Sequence, residues 1–509
     1  MFLNDTVSST VNETVDLFAN SFSSAYLDSN KPVPEFQTID VINLNELWVL
    51  DREVFDALSA LPPKFSAGPD SIPPFVLKKL ASELSYPLTS IFNMSLSSGV
   101  FPSAWKSSFL FPIFKTGDRS NVASYRGVCN QSSIPKILDK LVSKALAFAS
   151  KHFVADQQHG FIARRSTITN LLSYQQDILQ SFQAGSTVHS VYTDVAKAFD
   201  RVDSRLLVSK LRSYGIGEQI LKWLACYLSG RTQCVKIGST TSKPISVTSG
   251  VGQGSHTGPV LFSLFFNDLP RHIINSSLLM FADDVKIYRA VNHVRDCVLL
   301  QEDICRFSDW LTLNGLELSL HKCVVMAFSR NNDNFDFTYN IQSVPLSYVL
   351  QVKDLGILLD AKLTFASHIS HLSMRCFKCL GYIFRNSKGL SSEAFILLFT
   401  TLVRSLLEYG GVVWNSHYAV HVDLLERVQK KFFRYKSYRY PCDISTLPSL
   451  SDRRVSADLN FFNKLVEGNI DCSKLLSLVD LDCHRRLRGL YTYHVDLCRT
   501  NYTYFAPIN

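Results

Sequence analysis

Alternation of apolar and polar residues is clearest over Val188–Val195 (VHSVYTDV), where Val188, Ser190, Tyr192 and Asp194 fall on one face of a predicted strand and Val191, Thr193 and Val195 on the other. Leu278–Tyr288 (LLMFADDVKIY) reads as two apolar strand halves joined at a tight turn. Phe109–Lys115 (FLFPIFK) and Ser124–Cys129 (SYRGVC) read as a hairpin turning at Thr116-Gly117-Asp118. Cys234–Ile237 with Ile245–Thr248 predicts a further strand pair, Leu316–Phe328 a strand-like run and Lys353–Asp360 a short hairpin. Helical periodicity covers Ile134 to Phe153, Ala196–Phe199, Leu206–Tyr214, Ile220–Leu228, Val260–Asp268, Val298–Asn314 and nearly everything from Leu363 to residue 470. Residues 45–98 are also helical, interrupted by the Pro/Gly-rich LPPKFSAGPDSIPP. Residues 1–40 are rich in Ser, Thr, Asn and Asp and predict a poorly ordered lead-in.

Composition narrows the class. A chain of 509 residues with 46% hydrophobic and 12% aromatic content can bury a sizeable core, which excludes a disordered polypeptide. A net charge of +8 and a pI near 8.8 favour a polyanionic partner such as nucleic acid. The 12 cysteines are irregularly spaced and no signal segment precedes them, so a reducing, intracellular setting is expected rather than a disulfide framework. The longest apolar runs, such as Pro259–Phe266, fall well short of the roughly 18 residues of a membrane helix.

Chemistry concentrates at a few points. Asp283 and Asp284 stand side by side between apolar halves, where mutual repulsion and desolvation call for a cation or a hydrogen-bond cage. A tight turn can aim both carboxylates at one divalent ion, although Asp-Asp is also common in exposed turns. Asp194 closes its strand at a predicted helix start, a place that suits a catalytic carboxylate and equally a helix N-cap. Lys115 and Arg126, near the two ends of one hairpin, can grip a triphosphate or be solvated surface charges. In Ser249–Ser255 (SGVGQGS) the glycines let the backbone approach a ligand, or simply make a flexible loop. Arg164 and Arg165, ahead of a helix capped by Ser166 or Thr167, suit a phosphate backbone or a charged turn. Leu424–Tyr440 interleaves basic and aromatic residues, as a nucleic-acid surface or a solvated helix would. His368, His371, Cys376 and Cys379 imitate zinc spacing but spread over more than one face of a single predicted helix.

Taken in order, YTDVAKAFDRVD, SGVGQGSHTGPVLF, FADD, the Lys322 segment and KDLGILLD follow the palm motifs of reverse transcriptases, preceded by PIFKTGDRSNVASYRG and QHGF…RRST. From about Trp105 to Pro507 the chain resembles the reverse transcriptase of a non-long-terminal-repeat retrotransposon of the jockey-like (LINE) group, with LLEYGGVVWN and Arg453–Asn463 in its downstream region. The resemblance implies an α+β right-hand polymerase that copies RNA into DNA. Its parts would be a lead-in (1–40), a helical N-terminal extension (41–106), fingers (107–187), a palm (188–360) and a helical thumb with the C-terminal region (361–509).

The resemblance further implies that Asp194, Asp283 and Asp284 hold two Mg²⁺ ions, or Mn²⁺ in their place, about 3.5–4 Å apart. Lys115 and Arg126 then match cations on the triphosphate, and Phe199 the aromatic that crowds a ribose 2′-hydroxyl. Gln253 and Gly254 match the loop behind nucleotide and template, Lys322 a lysine that protonates pyrophosphate, and the Lys353–Asp360 hairpin a primer grip. The implied partners are an RNA template, a DNA primer and deoxynucleoside triphosphates, in the nucleus or cytoplasm and away from membranes. Gly252 stands where this group usually has Pro and Thr257 where it has Leu, so a looser loop and a weaker enzyme are expected; Phe281 replaces a commoner aromatic conservatively. The group's apurinic-type endonuclease is expected to be absent, since too few residues precede the fingers. A catalytically decayed copy that only binds nucleic acid is the alternative reading.

Overall fold

The alternating Thr187–Asp194 segment forms the middle strand of a five-stranded sheet. Asp284–Val291 and Val324–Phe328 flank it, both antiparallel, and Ser277–Phe281 and Ser347–Tyr348 occupy the edges. Gln351–Asp354 and Ile357–Asp360 make the separate short hairpin foreseen at Lys353–Asp360. The computed structural model describes residues 1–3, 6–27, 32–330 and 336–479; the last part of the expected C-terminal region, 480–509, lies outside the described residues. The chain is α+β and divides into two units, each assembled from three stretches.

The unit that holds this sheet comprises Asp156–Asp194, Ile273–Cys305 and the chain from Leu320 onward. Helix Thr167–Gln183, capped by the Ser166 hydroxyl as foreseen, buries Leu171, Leu172 and Ile178 in a core shared with Val188 and Phe328. That core continues into the C-terminal helices. Ala366–Asn386 turns Ile369, Cys376, Leu380 and Ile383 inward at helical spacing, and Phe399 stacks on Phe432 of helix Ala419–Arg439 at 4.0 Å.

The other unit comprises Met1–Ala155, Val195–His272 and Arg306–Ser319. In its sheet Ser107–Phe114 lies between Tyr125–Gln131 and Arg231–Ile237, and Ile245–Val247 pairs with the latter. Helices Asp51–Ser59, Pro74–Lys79 and Ala81–Ser98 occupy the expected helical extension, the second and third parting at Leu80.

Three expectations are corrected. The lead-in is not merely loose chain: Val11–Ser23 is a helix with a Thr10/Glu13 capping box, and it buries Val15, Leu17 and Phe18 against Leu110, Val122 and Val235 of its unit. No helix follows Asp194; residues 196–201 form turns and the next helix, Ser204–Ser213, is capped by Asp203, so the N-cap reading of Asp194 falls. The strand ending at Phe328 begins only at Val324, with Leu320–Lys322 as a 3₁₀ turn before it. Among the described residues no helix is long and apolar enough to cross a membrane, and the cysteines there are free.

Candidate active site

Asp283 sits in a two-residue turn. Phe281 pairs with Asp284 across the hairpin, so Ala282 and Asp283 alone reverse the chain, and Ala282 takes a φ of 58°. Alanine in that left-handed region costs about 1–2 kcal/mol, and the strain is held by side-chain contacts. The buried Gln158 accepts the Ala282 N–H at 2.9 Å and donates from Nε2 to the Ala282 carbonyl at 3.4 Å. The strand before the turn is fixed as well: Met280 accepts from the His159 N–H at 2.9 Å and from Asn170 Nδ2 at 3.0 Å.

Register then carries Asp284 directly opposite Asp194 on the neighbouring strand. Lys322 donates to Asp194 Oδ2 at 2.8 Å. Asp194, Asp284, Lys322, Lys286, Tyr192 and Asp354 help line one cleft of about 190 Å³. Asp284 keeps a solvent-exposed side, yet its carboxyl is pushed up to about 6, first by partial burial and then by the charges of Asp283, Asp354 and Asp194. These carboxylate oxygens are the hard donors that Mg²⁺ prefers, and the raised Asp284 value marks a place short of positive charge. Among the described residues no three His, Cys, Asp or Glu side chains are grouped closely enough, as they stand, to hold a metal ion. Loading a cation would require Asp194 to exchange the Lys322 ammonium for the ion.

Below the carboxylates, on the same strand face as Asp284, Lys286 is 4% exposed and ion-paired with Asp354 of the short hairpin, which is 7% exposed. The Lys286 ammonium also lies 4.6 Å from the Tyr174 ring centre, and Tyr192 donates to the Tyr174 hydroxyl at 2.9 Å.

The remaining predicted residues belong to the other unit. Lys115 and Arg126 do not mark opposite ends of their hairpin: Ile113 pairs with Arg126 and the Lys115 N–H reaches Ser124, so both cations flank the connecting loop. Gln253 and Gly254 lie against the Arg126 strand, since the Cys129 N–H donates to the Gln253 carbonyl at 2.8 Å. Gly254 has a φ of 118°, and a Cβ there would stand 2.5 Å from the Cys129 oxygen. Phe199 stacks on Phe262 at 4.2 Å, and its carbonyl accepts the Val251 N–H. The expected looseness of the loop is not seen at its end: the Thr257 hydroxyl donates to the buried Asp139 at 2.6 Å, and the His256 and Thr257 N–H groups donate to the same carboxylate.

Sequence reasoning passed over Asp200, Gln158 and the Lys286–Asp354 pair. Asp200 was visible as the second acid of TDVAKAFD, six residues after Asp194; its carboxylate accepts from Gln253 Nε2 at 3.3 and 3.4 Å. Burial pushes the Asp200 carboxyl up to about 6, against the opposing pull of Lys197 and Gln253. The folded state thus holds this proton more tightly than the unfolded one, and the stability that Asp200 lends declines as pH rises from about 4 through 6. Asp200→Asn is expected to flatten that part of the stability profile and to raise the urea midpoint at pH 8 relative to the parent.

Other candidates are structural. Arg165 is engaged by Asp156, Asp471 and the Gln158 carbonyl rather than offered to phosphate. In the basic helix, Lys436 is buried on the Asp443 and Ser445 carbonyls and Arg439 bonds Ser387. His368 accepts the Leu358 N–H through Nδ1, in keeping with the dismissal of the zinc-like spacing.

Comparison with known proteins gives the family. Residues 113–384, more than half of the chain, match the model of the reverse transcriptase (RNA-dependent DNA polymerase) family. A probable RNA-directed DNA polymerase from transposon BS of Drosophila melanogaster is 27% identical over 404 residues, 75% of this chain and 44% of the relative. The RNA-directed DNA polymerase from mobile element jockey of the same organism is 25% identical over 515 residues, 95% of this chain and 56% of the relative. The chain therefore spans about half the length of these relatives. It belongs to the reverse transcriptase family, on the jockey-like, non-long-terminal-repeat side.

Proposed function

We propose that the protein is an RNA-directed DNA polymerase that extends a DNA primer on an RNA template by nucleotidyl transfer. The observation that carries this reading is the placement of Asp284 opposite Asp194, with Asp283 in the adjoining turn, beside a cleft that also holds Lys322. In a right-hand description, residues 107–187 act as fingers, 188–360 as palm and 361–509 as thumb and C-terminal region.

Asp194, Asp283 and Asp284 would hold two Mg²⁺ ions. Bound there, the metal would lower the pKa of the primer 3′-hydroxyl and neutralise charge on the departing pyrophosphate. The chain's own groups do the rest. Lys115 and Arg126 bind triphosphate oxygens, Arg126 through its planar fork. Phe199, steadied by its stack on Phe262, excludes a ribose 2′-hydroxyl. Asp200 orients the Gln253 amide behind the incoming nucleotide. Lys322 holds a proton on Nζ next to Asp194, where it can be passed to pyrophosphate. The Gln351–Asp360 hairpin steadies the primer end.

Purified protein given a primed RNA template, deoxynucleoside triphosphates and Mg²⁺ is expected to lengthen the primer, and to stop when the metal is chelated. Salt-dependent binding of the primed template without incorporation would overturn the proposal and leave only a nucleic-acid-binding role.

A further inference from the structure

The turn bearing Asp283 is fastened by Gln158, the first residue of the QHGF segment, to which none of the roles above is assigned. We infer that Gln158 is a positioning residue for catalysis, acting as an amide clamp that holds the Ala282–Asp283 turn in the conformation needed for nucleotide incorporation. This rests on the polymerase reading above.

Four observations support it. Gln158 is 1% exposed, and its carboxamide reaches both polar groups of the Ala282 backbone: Oε1 accepts the N–H at 2.9 Å and Nε2 donates to the carbonyl at 3.4 Å. The same Oε1 accepts the Gly160 N–H at 2.9 Å, so the clamp is itself anchored on its own loop. Gly160 presses on the turn so closely that a Cβ there would stand 2.3 Å from the Ala282 nitrogen. The clamped residue is a non-glycine at positive φ, a conformation that persists only where its surroundings impose it.

The clamp is tied down from outside the turn as well. The Gln158 carbonyl accepts from Arg165 Nη1 at 2.9 Å, and Arg165 is ion-paired to Asp156 and Asp471. Residues 157–159 run beside the strand that enters the turn: the Met280 N–H donates to Gln157, and the His159 N–H donates to Met280. Backbone pairing thus fixes the strand, while the Gln158 side chain fixes the reversal that follows it. Asp283 is the next residue, so a change in the Ala282 torsions moves its carboxylate directly.

A shift of about 1 Å in a reacting group can lower a rate by about 10²-fold. Gln158→Met keeps the volume and removes both hydrogen bonds to Ala282 together with the one from the Gly160 N–H. It is expected to lower kcat for primer extension about 10²-fold and to raise the Mg²⁺ concentration giving half-maximal rate, with primer–template affinity unchanged. Gln158→Glu keeps the oxygen that accepts both N–H groups, and when protonated it can also donate to the Ala282 carbonyl; it is expected to retain kcat within about fivefold of the parent. Gly160→Ala crowds the same turn at the Ala282 nitrogen and should reproduce the kcat loss should the methionine variant fail to fold.

Rates are taken per folded molecule, with thermal melting and primer–template binding as controls, and Asp283→Asn is assayed in parallel. An inactive Asp283→Asn together with parental kcat in folded Gln158→Met, or in Gly160→Ala in its stead, overturns the clamp and spares the polymerase site. Parental activity in Asp283→Asn overturns the site assignment and the clamp with it.

Discussion

Asp283→Asn, and independently Asp194→Asn, is expected to lower RNA-templated primer extension by at least about 10³-fold while the protein stays folded. Asparagine keeps the shape and one acceptor oxygen, so neither the Phe281–Asp284 turn nor the pairing of Asp194 with Asp284 should be disturbed. What disappears is negative charge in a place where burial, and after it the neighbouring carboxylates, push the Asp284 carboxyl up to about 6. The metal-free variants should therefore melt at or above the parental temperature. The rise in melting temperature that Mg²⁺ gives the parent should shrink, because a ligand stabilises only through the folded state it binds. Calorimetric melts with and without Mg²⁺, beside a single-turnover extension assay, check both halves. A variant that incorporates nucleotides at the parental rate rules out that aspartate as a metal ligand.

Asp354→Ala is expected to be the most destabilising single change, by about 3–5 kcal/mol, because it leaves the Lys286 ammonium buried without its partner. The Tyr174 ring 4.6 Å away offsets only part of that loss. Burial already holds Lys286 below the ordinary lysine range, against the upward pull of Asp354, and removing Asp354 depresses it further. The unfolded chain then binds the proton more tightly than the folded one, so the stability of the variant should rise as the pH climbs towards the ordinary lysine range, narrowing its deficit. Replacing both residues, Lys286→Met with Asp354→Leu, should recover most of the lost stability, since no charge is left to bury. Urea midpoints of Asp354→Ala and the double variant decide this. Equal losses in Asp354→Ala and in the double variant would show that the pair matters for shape and not for charge.

The sequence signal was strongest where local pattern and chemistry coincide. Alternation placed Asp194 on its strand, and the break between the apolar halves of LLMFADDVKIY placed Asp283 and Asp284 at a reversal; both rest on neighbours within a few residues. The contacts that support those carboxylates join positions far apart in the chain, 68 residues for Lys286 with Asp354 and 124 for Gln158 with Ala282, and no local period encodes such pairs. Nothing local distinguishes the lysine two places after Asp284 from a surface charge. The Thr10/Glu13 capping box was a readable local signal for the first helix, outweighed by the polar composition around it. After Asp194, four residues of apparent helical period were too few to tell a helix from the succession of turns found there.

The interleaving of the two units sets an order of events during synthesis. The unit that begins at Met1 takes its last stretch from Arg306–Ser319, and the other takes up the chain from Leu320 onward. At ribosomal rates of about 5–20 residues per second, the segment ending at Ala155 waits on the order of ten seconds for the stretch that completes its unit. During that wait the apolar faces destined for the missing pieces are uncovered. Production of this protein should therefore respond strongly to temperature, translation speed and chaperone supply. Dividing the chain once between Asp194 and Val195 would leave both units incomplete.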